Sequence, residues 1–230
     1  MDTPATTTQE IVQTKNYSNY WAIVVLILVN LWPIYGVFFL NWNVGTILVL
    51  YWAENIVIGF YNIFKMLLAQ GQETQGPILV NNQPVNSSNI FERIFLTGFF
   101  SVHYGGFCFG HGMFIFMFIK TGFLGVAKID WQYLIAPIIL LFASHGFSFF
   151  SNFIGKNEYK NTSIGQLFTA PYGRIMVTHI CIIGSGFIIA FLGSPKPVII
   201  LLVLLKIVID LWFHHMEHQK FAINNSTLVA

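Results

Sequence analysis

The segment KIVIDLWFHHMEH, residues 206–218, sets Lys206, Asp210, His214 and His218 four positions apart at the end of an apolar run. On a helix each such step turns by only about 40°, so the four groups form one slowly winding stripe. Asp210 and His214 sit on adjacent turns and can present an oxygen and a nitrogen to one ion, as an i, i+4 ligand pair does in zinc proteases. Other apolar stretches carry Glu54, His103, His145 and His179. His and carboxylate ligands suit zinc, iron or manganese, and three of them with a water make a hydrolytic centre. His145, His179, Asp210 and His214 are therefore the expected metal ligands. Glu54 or His103 is the expected acid or base, and Lys206 the cation that neutralises a buried carboxylate. Arg174, in PYGR, could hold an anionic lipid head group, although ordinary anchoring at the membrane face also explains it.

The elements that must position these groups are membrane spans. The chain has 230 residues, 55% hydrophobic and only 9% charged, against about a quarter charged in soluble domains. Its near-neutral balance of 11 basic and 9 acidic residues offers no basic field for nucleic acid. Six stretches are long and apolar enough to cross a bilayer: 20–40, 44–68, 91–119, 131–151, 172–192 and 196–216. The expected fold is thus all-α, a polytopic bundle of six transmembrane helices over residues 20–218. A polar tail, 1–19, precedes it and a second tail, 219–230, follows. Boundary chemistry agrees: Asn43 can cap the second span, Asn89 with Glu92 resembles a capping box, and Asp130 can cap the fourth. Gly193, Ser194 and Pro195 end the fifth span and start the sixth.

Basic residues in and beside the loops fall unequally. Lys15, Lys65, Arg93, Lys156, Lys160, Arg174 and Lys220 lie on the N-terminal side, and Lys120, Lys128 and Lys196 on the other. The positive-inside rule then expects both termini in the cytoplasm of a cell whose plasma membrane holds the protein, with lipid as its one evident partner. Residues 69–90 read as a flexible polar linker, and SIGQLFTAPY within 152–171 as a segment along the membrane surface. Cys108 and Cys181, both in apolar stretches, read as small buried hydrophobes. Gly98, Gly105 and Gly112, spaced by seven, form a seam that would let other helices approach closely, which places the third span centrally. Pro33 and Pro137 are expected to bend their spans.

Depth sorts the polar groups. Counted from these boundaries, Glu54, His103 and Lys206 share a middle layer, while His145, His179, Asp210 and His214 lie nearer the cytoplasm. Taken singly, each His is accounted for by an interhelical hydrogen bond. As a set they ask for more, because Ser, Thr or Asn would join helices at lower cost. A metal-dependent enzyme acting on a lipid-like substrate is the leading reading, with a bis-His haem as a variant. A proton-coupled carrier would use Glu54, His103, Lys206 and Asp210 as a relay, with His111 extending it outward. A carrier should line both leaflets, and the outer half shows only His111. A non-catalytic scaffold is the third alternative. Ser185 in IIGSGF faintly resembles a rhomboid nucleophile, but Ile183 replaces the first glycine of that motif, and packing explains the serine better.

The segments YWAENIVIGFYNIFKML at 51–67, HYGGFCFGHG at 103–112, PYGRIMVTHI at 171–180 and LLKIVIDLWFHH at 204–215 resemble a family of microbial multi-pass membrane proteins known only as a domain of unknown function. The resemblance runs from about residue 20 to 220. It implies one small helical membrane domain and brings no activity and no assigned residues.

Overall fold

A computed structural model describes residues 35–36, 38–40, 42–72, 78–80, 82–122, 129, 131–192, 201, 203–205 and 207–208. The chain divides into two compact units, Asn43–Val198 and a second made of Met1–Trp42 with Ile199–Ala230. The second unit is described in part. It holds a helical turn in which the Tyr35 and Phe39 rings stack at 4.9 Å and Gly36 O accepts from both Leu40 N and Trp42 N. The expected first and sixth spans, and with them Pro33, Lys206, Asp210 and His214, lie outside the described residues or nearly so.

The larger unit contains α1 (Val44–Leu68), a short hairpin of β1 (Leu79–Val80) and β2 (Gln83–Pro84), α2 (Ile90–Lys120), α3 (Gln132–Ser148) and α4 (Ile164–Leu192). Four candidate membrane spans follow from these helices: Val44–Leu68, Ile90–Lys120, Gln132–Ile154 and Ile164–Gly184. The Asn43 side chain accepts from Thr46 N and starts α1. Asn89 accepts from Phe91 N and donates to Glu92, which fixes the start of α2. Asp130 is outside the described residues. α3 runs into a π-helical turn, Phe149–Ile154, closed by Gly155 N donating to Phe150 O; the turn carries Phe149 and Phe153 into the core.

Three expectations are corrected. First, α4 begins at Ile164, eight residues before the expected 172, so SIGQLFTAPY is the first part of a span. Ser163 Oγ accepts from Gln166 N while Gln166 Oε1 accepts from Ser163 N, a capping box. Pro171, inside the helix, has no N–H for the carbonyl of Leu167. Asn62 Nδ2 of α1 donates to that carbonyl instead, at 2.9 Å, so the helix passes through the proline intact.

Second, residues 69–90 are not simply a linker. Ala69, Val85 and Ser87 are buried. Gln70 N donates to Tyr159 O, Gly71 N to Thr162 O, and Ile164 N to Ser87 Oγ. The two long connections are thereby tied together over the end where α1 and α3 finish and α2 and α4 start. The core of Met66, Phe100, Phe153, Ile164 and Ile175 lies at this end.

Third, the central helix is α1. It packs against α2, α3 and α4 and is the most buried of the four. Among the described residues the glycine seam of α2 is largely open: a Cβ on Gly98, Gly105, Gly106 or Gly110 would meet nothing within 4 Å, and of these seam glycines Gly112 alone packs closely, on Trp52. Close approach is used instead at Gly59 of α1, which lies flat on the Tyr104 ring.

Candidate functional site

α1 and α4 run antiparallel, as do α1 and α2, so α2 and α4 are parallel and enclose one seam with α1. The same polar positions recur along that seam because residues four and seven apart return to one helix face. On α4, Arg174 and Thr178 turn toward α1, while Tyr172 and His179 turn toward α2.

Nearest the loop end, His103 Nδ1 and the Tyr172 hydroxyl share a hydrogen bond of 2.7 Å. Phe99 and Phe107 flank the His103 ring at 5.4 and 5.1 Å, and Phe168 stands 5.7 Å from Tyr172. Beside this pair, Arg174 Nη1 lies 3.8 Å from Glu54 Oε1, with side chains 49% and 19% exposed. Next comes a rung of neutral groups. The Tyr104 hydroxyl donates to Asn55 O at 3.1 Å, and Asn55 Nδ2 donates to Thr178 Oγ1 at 2.6 Å and to Tyr51 O at 2.9 Å. Beyond it, His111 Nε2 and His179 Nδ1 face each other at 2.6 Å, with ring centroids 4.9 Å apart. His111 is almost fully buried. It lies 21 residues into α2, about 31 Å along the axis, in the half of the bundle away from the tied loops. Trp52, whose indole N–H donates to Cys108 O, closes the seam there.

The expected residues are partly united. Glu54 and His103 fall on the same seam; Glu54 meets Arg174, and Lys206, the expected cation, lies outside the described residues. Arg174 sits about 15 Å along α4 from Ile164 and not at a helix mouth. His179 lies with His111 and away from the shallow layer assigned to it. His145 is on another face of α1, its ring stacked on Tyr61 at 6.4 Å; Glu54, Arg174 and Lys65 act on it electrostatically. Among the described residues no three His, Cys, Asp or Glu side chains come together as a metal would need. His111 and His179 supply two imidazole nitrogens, now bonded to one another. Sequence reasoning missed Asn55, Tyr104, Tyr172 and Thr178 as site members. Their one signal is polarity inside apolar runs, which Tyr and Thr show weakly.

The fold and the seam define a class: a helical protein with candidate membrane spans and a polar ladder between three of them. The chain belongs to a family of unknown function, DUF6498, whose model matches residues 13–226. No curated protein and no solved structure matches it.

Proposed function

We propose that the chain is a small proton-coupled membrane carrier whose coupling groups are the ladder between α1, α2 and α4. The observation that carries this reading is the His111–His179 pair. With His179 beside His111, titratable groups stand in both halves of the bundle, which is what a carrier needs and a one-sided site does not. Two imidazoles at 2.6 Å share one proton between them, and either can pass it on by rotating its ring. The Asn55–Thr178–Tyr104 rung separates this pair from Glu54 and Arg174, so the two ionisable levels communicate through neutral hydrogen bonds. Intramembrane ionisable residues disposed in this way are characteristic of proton relays.

The metal-dependent enzyme would gather His145, His179, Asp210 and His214 around one zinc, iron or manganese ion. His145 and His179, its two described members, face different partners, Tyr61 and His111, so the ladder favours the carrier. A scaffold would have no use for an ion pair where a neutral pair costs less.

The test is reconstitution of the full chain into liposomes that trap a pH-reporting dye, under an imposed membrane potential. Short carboxylates, amino acids, sugars and quaternary amines are added in turn. One of them should provoke proton movement that His179→Phe abolishes while the variant still elutes as folded protein. Failure of every solute to move protons through the unaltered chain would overturn the reading.

A further inference from the structure

Among the described residues, one place sets two imidazole nitrogens from different helices against each other: His111 Nε2 of α2 and His179 Nδ1 of α4, at 2.6 Å. His111 is only 4% exposed, and His179 is half-buried. Neither ring makes a hydrogen bond through its other nitrogen to a described residue. Each can therefore carry its proton there and turn a lone pair toward the partner ring. The surroundings are apolar. Phe107 lies 6.5 Å from the His111 ring, and Gly112, next along α2, packs on Trp52, which meets Phe116 edge-on at 6.2 Å. Among the described residues, the one ionisable side chain that acts on His111 is His179, so no described carboxylate offsets a charge placed between the rings.

We infer that these two rings bind a monovalent, closed-shell metal ion of the Cu(I) type, held in line between them. Coordination number decides the class of ion. Zinc and the other divalent metals fill four positions or more. No three His, Cys, Asp or Glu side chains come together among the described residues, so a divalent ion would have to draw its remaining ligands from water in an apolar seam. Cu(I) and Ag(I) are satisfied by two nitrogens in line. Charge points the same way: a divalent ion brings two charges to a place with no described counter-charge, and a monovalent ion brings one. Hard cations that seek oxygen find none in a pair of imidazoles. The required movement is small. Two bonds of about 2 Å in line set the nitrogens about 4 Å apart, so from 2.6 Å the rings part by about 1.4 Å. The loop ties hold the opposite end of the bundle, and the half-buried His179 ring has room to swing. Binding here does not rest on the carrier reading, because it needs the pair alone.

The experiment uses the full chain without an affinity tag, in oxygen-free micelles, with Cys108→Ala and Cys181→Ala so that no thiol competes for a soft ion. Cu(I) is supplied as its coloured bicinchoninate complex, whose bleaching reads the affinity, and Zn(II) is the divalent control. One Cu(I) should bind per chain, more tightly than Zn(II), with the copper K-edge absorption of two nitrogens in line. His111→Phe and His179→Phe should each weaken it about a hundredfold or more, since altering groups that merely support a ligand already costs about 10–100-fold. The double variant His214→Ala/His215→Ala removes the neighbouring histidines near the C-terminus and should leave affinity unchanged. Three- or four-coordinate copper, Zn(II) bound as tightly, full affinity in either Phe variant, loss of the ion with His214 and His215, or no Cu(I) bound would overturn the inference. Should the Phe variants fail to fold, the edge spectrum and the His214→Ala/His215→Ala variant decide it together. Cu(I) bound by a chain that moves no protons in liposomes would remove the carrier and keep this site. Proton movement that His179→Phe abolishes, in a chain that binds no Cu(I), would do the reverse.

Discussion

Replacing Asn62 by Leu keeps the side chain's approximate volume and removes one donor. The bond it removes is specific: Asn62 Nδ2 to Leu167 O, 2.9 Å, with Asn62 95% buried. Leu167 O would ordinarily receive the N–H of residue 171, and Pro171 has none. Without Asn62 the carbonyl is orphaned among packed helices, which costs about 1–3 kcal/mol on the scale of buried groups left unpaired. Pro171→Ala supplies the helix's own N–H to the same carbonyl. The double variant Asn62→Leu/Pro171→Ala should therefore recover most of the loss, a coupling of about 1 kcal/mol or more where independent sites add within about 0.5 kcal/mol. Unfolding in mixed micelles at increasing SDS fraction, followed by circular dichroism, measures all four corners of the cycle. If Asn62→Leu is neutral, or if its cost is the same with and without Pro171, then Asn62 does not stand in for the missing N–H, and the argument for a helix continuous from Ile164 loses its physical cause.

Further outcomes follow from the same geometry. His111→Phe and His179→Phe should each destabilise the protein, while the double variant costs less than their sum by roughly 1 kcal/mol, the scale of interhelical hydrogen bonds in membranes; strict additivity would separate the two rings. Ser87→Ala should cost about 1–2 kcal/mol because Ile164 N loses its acceptor at the start of α4, whereas Ser88→Ala, whose hydroxyl accepts from exposed Gln72, should change melting within about 0.5 kcal/mol. Gly59→Ala would put a Cβ 2.6 Å from the buried Tyr104 ring and should cost about 1–3 kcal/mol by overpacking, while Gly105→Ala on the open face should be neutral or slightly stabilising by its helix propensity; equal effects would refute the packing. Thr178→Val keeps the shape and removes the oxygen that accepts from Asn55; proton movement in liposomes should slow, and unchanged proton movement would exclude the rung from the route.

Much of the fold is legible in the sequence where a signal is local. α1 matches its expected 44–68 because Asn43 caps it and the apolar run ends at Ala69. α2 starts within one residue of expectation because Asn89 and Glu92 lie in one turn. The start of α4 has a local signal, the Ser163–Gln166 capping box, but Pro171 masks it, because the group that carries the helix past the proline is on another helix. A proline before Tyr-Gly reads as a boundary until Asn62, more than a hundred residues earlier in the chain, is known to supply the missing donor. That one misplacement of eight residues moves Arg174 from mid-helix to the membrane face and His179 from the far half to the near half. Both errors in the expected site follow from it. The glycines of α2 mislead for another reason: spacing shows that a face is smooth but not which helix, if any, lies on it. The loop 69–90 reads as mobile from its composition, yet Val85 and Ser87 are buried by partners in residues 152–171 that composition does not reveal.

The relation between Arg174, Thr178 and His179 explains why one helix can serve two levels of the ladder. Thr178 Oγ1 accepts from Asn55 and donates to Arg174 O one turn back at 3.3 Å, so its hydroxyl is used in both directions. Asn55 follows Glu54 directly on α1, and His179 follows Thr178 directly on α4. Consecutive residues on a helix point about 100° apart, so each backbone step turns from the neutral rung to an ionisable group on a neighbouring face. In the proposed carrier a change of charge at Glu54 would act on the bond that Asn55 makes, and through it on the helical turn that holds His179. A carrier whose two ionisable levels were joined by charged groups would pay desolvation at every rung; the amide and hydroxyls between them transmit the same information at the cost of ordinary hydrogen bonds.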